Sequence, residues 1–388
     1  MYHVNYEEGM TFHGNTERLQ RVLRRAAAGE KLVLGYLGGS ITQGSLSSTP
    51  DTCYAALVTK WWRAQYPQTE FVYVNAGIGG TTSQFGVARV EQDLLAYEPD
   101  FVIVEFSVND DNSLFFRETY EGLVRKILSW ESEPAVLLVH NVFYETGTNA
   151  QDQHETIGRY YDIPCVSMKT SVYQEVVQRK IPVREITPDN LHPNDAGHAL
   201  LAGLVTYFLE KVQKEEKDVD KSDTNFARGG KCELPTPITA NAYQNSVRYQ
   251  VYNSTPVLSG FVADTEEQHH ITDIFKRGFI GKKKGDSVRF EVEGTGIAVQ
   301  YRKSVKHPAC VAKAVLDGEE EHAVILDGNF EETWGDCLYI TTLLVHGEDK
   351  KHTLDISIME GEESGKDSAD NEEEDLVPFY LVSVIGSR

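Results

Sequence analysis

Four short clusters in this chain hold residue types suited to acyl transfer. Ser40 follows two glycines in Gly38-Gly39-Ser40-Ile41-Thr42. A serine hydroxyl becomes a nucleophile once a base takes its proton, although the same serine suits a helix cap or a turn equally well. Asp189 and His192 stand in Pro188-Asp189-Asn190-Leu191-His192-Pro193. That spacing lets a carboxylate orient an imidazole from within one short loop, but such a pairing also recurs by chance. The segment NAGIGGT (75–81) carries Gly80 among glycines that permit close backbone approach and expose N–H groups, as a plain tight turn would. Asn109, in Ser107-Val108-Asn109-Asp110, can aim a carboxamide N–H at a developing oxyanion or simply turn the chain. A nucleophile, a base with its orienting acid, and two oxyanion donors complete the parts list for ester hydrolysis.

Elements able to bring these clusters together are legible in the hydrophobic pattern. LVLGYL (32–37), FVYVN (71–75), FVIVEF (101–106), AVLLVH (135–140) and a weaker IPCVSM (163–168) read as strands covered on both faces. Helix-like segments lie between them, such as CYAALVTKWWRAQY (53–66) and FGVARVEQDLLAYE (85–98). Asn15 or Thr16 is placed to cap a further helix whose buried side carries Leu19, Val22 and Leu23. The alternation predicts a three-layer, doubly wound parallel sheet with helices on both faces. In such a sheet the ligand crevice opens beyond the carboxyl ends of the strands. Three of the clusters follow strands there, and the fourth leads into the helix 199–217.

After that helix the composition turns polar and rich in turn formers, DVDKSDTNFARGGKCELPTP. We divide the chain into a catalytic domain (1–217), a linker (218–235) and a C-terminal all-β sandwich of jelly-roll kind (236–388). The last rests on β-runs such as SVRFEVEG (287–294), GIAVQYRK (296–303) and HTLDISIMEG (352–361).

Bulk properties exclude several classes of function. With 37 basic and 59 acidic residues the formal net charge is −22, which disfavours nucleic acid and anionic membrane surfaces as partners. Eight acids and one lysine fall between Glu362 and Asp375, a block that reads as a solvated loop. No apolar stretch approaches a membrane span, and MYHVNYEEGMTFHG lacks the pattern of a secretory signal. The five cysteines are scattered, with no CxxC pair and no zinc spacing, and read as reduced and packed. A cytoplasmic setting is expected, with no metal and no cofactor. His269-His270 resembles a metal site only superficially, because no third ligand falls at a suitable spacing.

The chain resembles the SGNH (GDSL-type) hydrolases. The blocks that carry the resemblance are GGSIT around Ser40, NAGIGGT around Gly80, VND around Asn109 and DNLHPNDAGH around His192, in the family's order across about residues 32–205. The resemblance implies Ser40 as nucleophile, His192 as general base and Asp189 as its orienting partner. It further implies an oxyanion hole formed by the Ser40 and Gly80 backbone N–H groups and the Asn109 side chain. Two positions depart from the family's common pattern: Gly39 replaces the aspartate of the GDS form, and Ser107 stands where glycine is frequent. Neither position has a direct proton-transfer role. The absence of GxSxG and the short spacing from Asp189 to His192 argue against an α/β-hydrolase elbow.

An SGNH unit followed by a β-sandwich also resembles carbohydrate esterases, the acetylmannan esterases of gut bacteria with a carbohydrate-binding-like domain among them. The expected substrate is therefore an acetylated oligosaccharide. Lipid, thioester or cell-wall acylhydrolase activity and a non-catalytic carbohydrate-binding role stand as alternatives. Trp334, in Glu331-Glu332-Thr333-Trp334-Gly335-Asp336, offers an aromatic platform for sugar or, equally, a cover for the sandwich core. Tyr36, Trp61 and Trp62 read as packing residues, as does His198. His140 and Asn141 end a strand on the catalytic rim and are expected to be structural more than substrate contacts.

Overall fold

The computed structural model describes residues 2–218, 233–361 and 376–388. The chain divides into two compact units, Met1–Asn241 and Ala242–Arg388.

The first unit contains β1 (Met10–Phe12), α1 (Glu17–Ala27), β2 (Leu32–Gly38), α2 (Ser40–Gln43), α3 (Tyr54–Gln65) and β3 (Phe71–Gly77). It continues with α4 (Ser83–Asp93), β4 (Phe101–Glu105), α5 (Leu114–Leu128), β5 (Ala135–His140), α6 (Gln151–Tyr160), β6 (Cys165–Ser167), α7 (Val172–Val177) and α8 (Asp195–Asp218). Its sheet runs β1-β6-β5-β4-β2-β3, with all neighbours from β6 to β3 parallel. The chain builds outward from β2 first to β3 and then, on the other side, through β4 to β6. The strand order therefore reverses beside β2, which is where such sheets open a crevice. β4 and β5 are buried at every position, as their unbroken apolar runs require. Trp62 of α3 is fully buried and packs against Tyr66, Phe71 and Phe101, while Tyr36 is buried within the same core.

One local feature departs from the sequence reading, and another decides between the two cap residues it offered. β1 pairs antiparallel with β6, an edge strand too short and too mixed to stand out in the pattern. Thr16 is the residue preceding α1, yet its side chain makes no capping bond there; Asn15 Oδ1 instead accepts from the Glu17 N–H at 2.8 Å.

The second unit is antiparallel and all-β, with eleven strands among the described residues. They are β7 (Val247–Tyr249), β8 (Val257–Ser259), β9 (Val262–Ala263), β10 (Phe279–Gly281), β11 (Ser287–Gly294), β12 (Gly296–Lys303), β13 (Val311–Leu316), β14 (Val324–Asp327), β15 (Cys337–Leu344), β16 (Lys350–Glu360) and β17 (Phe379–Ser387). One sheet runs β15-β12-β17-β10-β9 with β7 also on β17, and the other β14-β13-β16-β11-β8. β11 alternates buried and exposed residues, so Val288, Phe290 and Val292 face the core. β17 lies between two neighbours and is buried throughout.

The expected boundary at 235/236 falls short of the observed division. The Thr236 and Pro235 carbonyls accept from Tyr160 and Arg125, and the buried Glu121 carboxylate accepts from the Ile238 and Thr239 N–H groups. Residues 235–239 thus belong to the first unit. Most of the expected linker and the acidic block Glu362–Asp375 lie outside the described residues. Among the described residues no helix is long and apolar enough to cross a membrane.

Candidate active site

Ser40 is the first residue of α2, placed where β2 ends, one strand in from the edge strand β3. Gly39 leaves room for Asn109 here: a methyl group at that position would collide with the Asn109 carboxamide. The glycine in place of the family's aspartate thus lets Asn109 lie directly against the turn that carries Ser40. The neighbouring strand end is equally tight. Gly77 packs against the Gln43 backbone, and the Gln43 side-chain carbonyl accepts the Gly79 N–H at 2.6 Å. This holds the 77–80 turn against α2. Gly80 follows at φ 69°, in the left-handed region, and is exposed.

Asp189 and His192 share a loop that leads into α8. Asp189 Oδ1 accepts from the Leu191 N–H at 3.0 Å, the His192 N–H at 2.7 Å and the Thr187 hydroxyl at 3.1 Å. Its other oxygen lies 2.6 Å from His192 Nδ1. Partial desolvation pushes the Asp189 pKa up, but the His192 hydrogen bond and the two backbone donors outweigh it and leave the group below its ordinary value. An ionised carboxylate only accepts, so Nδ1 carries a proton, and the neutral tautomer with that arrangement has its acceptor at Nε2. That nitrogen lies 2.8 Å from Ser40 Oγ, placed to accept from the hydroxyl. With side chains 24% and 44% exposed, the His192–Asp189 pair adds on the order of 0–1 kcal/mol to stability, so its value lies in orientation.

Asn109 sits in a tight turn in which its own N–H and that of Asp110 both donate to the Phe106 carbonyl, at 3.0 and 2.9 Å. Its carboxamide makes no side-chain hydrogen bond among the described residues, which leaves Nδ2 available to a ligand. Three residues not assigned a role from sequence fix this turn. Asp110 is buried, accepts from the Ser83 N–H at 2.8 Å and lies 2.9 Å from Nε2 of the buried His154. Ser107 Oγ accepts the Asn141 N–H at 2.7 Å and donates to the Asn141 carbonyl at 3.1 Å, joining the ends of β4 and β5. The serine that replaces the frequent glycine therefore has a structural function. His154 lies 44 residues from its partner, so no local pattern in the sequence announces the pair.

Glu105 ends β4 beneath α2 and is fully buried. Burial raises its pKa to about 7, against the opposing effect of nearby donors, among which the Thr42 hydroxyl donates to the carboxylate at 3.4 Å. The Glu105 carbonyl accepts the Gly39 N–H at 3.3 Å.

The remaining sequence candidates lie elsewhere. His140 and Asn141 are buried, and neither His140 ring nitrogen has a hydrogen-bond partner among the described residues. Trp334 belongs to the second unit, in the loop between β14 and β15. It is 58% exposed and stacks edge-on against Phe330, with ring centroids 5.2 Å apart. Among the described residues no three His, Cys, Asp or Glu side chains converge as metal ligands. Cys53, Cys165, Cys310 and Cys337 are free and buried.

The geometry agrees with what the chain is similar to. The model of the GDSL-like Lipase/Acylhydrolase family matches residues 36–200. A crystal structure of a two-domain esterase active on acetylated mannans, co-crystallised with mannopentaose, is 54% identical; the match covers 100% of this chain and 98% of that one, with a TM-score of 0.91. The acetylxylan esterase of Geobacillus stearothermophilus is 27% identical over 208 residues, 46% of this chain and 93% of that enzyme. The thioesterase 1/protease 1/lysophospholipase L1 of Escherichia coli K12 is 28% identical over 195 residues, 48% of this chain and 87% of that protein. Given a relative this similar over its full length and the family pattern spanning the strand ends that hold Ser40 and Asn109 and the loop that holds His192, the chain belongs to the GDSL-like lipase/acylhydrolase family, the SGNH hydrolases.

Proposed function

We propose that the protein is a serine esterase that removes acetyl groups from acetylated oligosaccharides, those of mannan type in particular. The observation that carries the chemistry is the continuous hydrogen-bonded line from Asp189 through His192 to Ser40. In this reading His192 Nε2 takes the hydroxyl proton as Ser40 Oγ attacks the acetyl carbonyl. The resulting oxyanion is received by the Ser40 and Gly80 backbone N–H groups and by Asn109 Nδ2. The imidazolium, held by ionised Asp189, returns its proton to the departing sugar oxygen. Water then attacks the acetyl-enzyme with His192 as base, releasing acetate and restoring the serine.

The choice of sugar rests on the 54% identical esterase active on acetylated mannans, matched over both units. We assign the second unit a carbohydrate-binding role, with exposed Trp334 as its aromatic platform. The four described free, buried cysteines support a reducing, cytoplasmic setting.

The test is hydrolysis of acetylated manno- and xylo-oligosaccharides followed by mass spectrometry, with an aryl ester chain-length series alongside. We expect successive loss of acetyl groups, preference for acetyl over longer acyl chains, and no turnover by a folded Ser40→Ala variant. Preference for long chains would favour a lipid or thioester acylhydrolase, and undiminished activity of Ser40→Ala would overturn the mechanism.

A further inference from the structure

The Ser40–His192 contact joins residues 152 positions apart, one opening α2 and the other in the loop before α8. A separation of 2.8 Å across such a junction needs something to set it, and the first turn of α8 supplies the means. Asp195, three residues past His192, reaches over to the segment that leaves α2. Its Oδ1 accepts the Ser48 N–H at 2.8 Å and the Thr52 hydroxyl at 2.7 Å, and its Oδ2 accepts the Ser48 hydroxyl at 2.6 Å.

One turn further along α8, buried His198 grips the two ends of the same segment. Nδ1 lies 3.2 Å from the Tyr54 N–H, and Nε2 lies 3.3 Å from the Ser45 carbonyl. A backbone N–H can only donate and a carbonyl only accept, so Nδ1 is bare, Nε2 carries the proton and the ring is neutral. Desolvation lowers the His198 pKa, which favours that neutral form. Tyr54 closes the circuit: its hydroxyl lies 2.9 Å from Thr42 Oγ1 on α2, two residues from the nucleophile. Five hydrogen bonds from two side chains therefore tie the segment following Ser40 to the helix following His192. Asp195, Ser48 and Thr52 are not core residues, so apolar packing does not account for three of these bonds.

We propose that Asp195 and His198 are positioning residues that set the distance and angle between Ser40 and His192. The inference rests on the reading of Ser40 and His192 as nucleophile and base. Neither residue touches the reacting atoms; each acts through the segment Ser45–Tyr54. Hydrogen bonds to an ionised carboxylate are among the stronger ones available to a surface loop, and small errors in placing a nucleophile against its base are costly in rate.

The experiment compares the parent chain with Asp195→Ala, Asp195→Asn, His198→Phe and the double variant Ser48→Ala/Thr52→Val. Fluorophosphonate titration counts competent serines, and aryl acetate hydrolysis gives kcat and KM per titrated site. We expect Asp195→Ala and His198→Phe to lose roughly 10-fold to 10²-fold in kcat per titrated site, with KM little changed and the titrated fraction kept. Asp195→Asn retains an acceptor for the Ser48 N–H and should recover most of the loss. Ser48→Ala/Thr52→Val removes the staple from its other side and should reproduce Asp195→Ala.

Parent-like kcat in these variants would overturn the proposal. So would a loss seen only as fewer titratable sites, or a fall in Asp195→Asn equal to that in Asp195→Ala. A parent chain that neither hydrolyses the ester nor takes the label would instead overturn the esterase reading itself.

Discussion

Asn109 is where this site commits most to one side chain. Its carboxamide lies against Gly39, its backbone is fixed by the Phe106 carbonyl, and its neighbour Asp110 is anchored to the Ser83 N–H and His154. A donor held this firmly needs little reorganisation as charge develops on the substrate oxygen. We expect Asn109→Ala to lower kcat by roughly 10²–10³ with a smaller effect on KM, read from steady-state kinetics on an aryl acetate. At this scale the sequence was most informative where the proposed chemistry asks for a residue type at a strand end, as at Ser40 and Asn109, or in a short loop before a helix, as at Asp189–His192. It was silent on Asp110–His154 and on the role of Ser107, because those bonds join positions far apart in the chain and no periodicity marks them.

The elements determine which of those residues meet. β2 and β4 lie side by side, so the serine turn after one and the asparagine turn after the other share a rim. Glu105, at the end of β4, sits under α2 with Thr42 Oγ1 3.4 Å from its carboxylate. Its raised pKa has a sign that can be worked through. Below its ordinary value of 4.5 the folded and unfolded chains both hold the proton. Between there and about 7 the unfolded chain has released it while the folded one retains it, so stability falls as pH rises through that window. The full shift corresponds to roughly 3 kcal/mol at 1.36 kcal/mol per pKa unit. Glu105→Gln cannot titrate, and its Tm relative to the parent should rise progressively from pH 4.5 to 7; a constant difference would refute this. The strands that frame the site were legible as continuous apolar runs. β1 was not, since three residues paired at an edge leave no pattern, and residues 236–239 read as sandwich and 235 as linker because their ties to Glu121, Arg125 and Tyr160 are invisible in one dimension.

At the scale of the whole chain, two units of different architecture follow one another, and the change from helical to strand periodicity made the second legible as β-rich. Trp334 is the point at which its proposed carbohydrate role can be tested. An indole 58% exposed, backed edge-on by Phe330, presents apolar surface of the kind that stacks on sugar rings. Trp334→Ala should therefore weaken retention of the full chain on galactomannan in affinity electrophoresis; unchanged retention would remove Trp334 from the binding surface.

The wide separation of Ser40 from His192 bears also on how the protein is made. A ribosome translates Ser40, the proposed nucleophile, early and must add a further 152 residues before His192, its proposed base, exists. Until α8 emerges, the growing chain carries a serine that no group activates. On that proposal, chains released before His192 is translated are inert as hydrolases, so this chemistry comes only from polypeptides extended past the last strand of the first sheet.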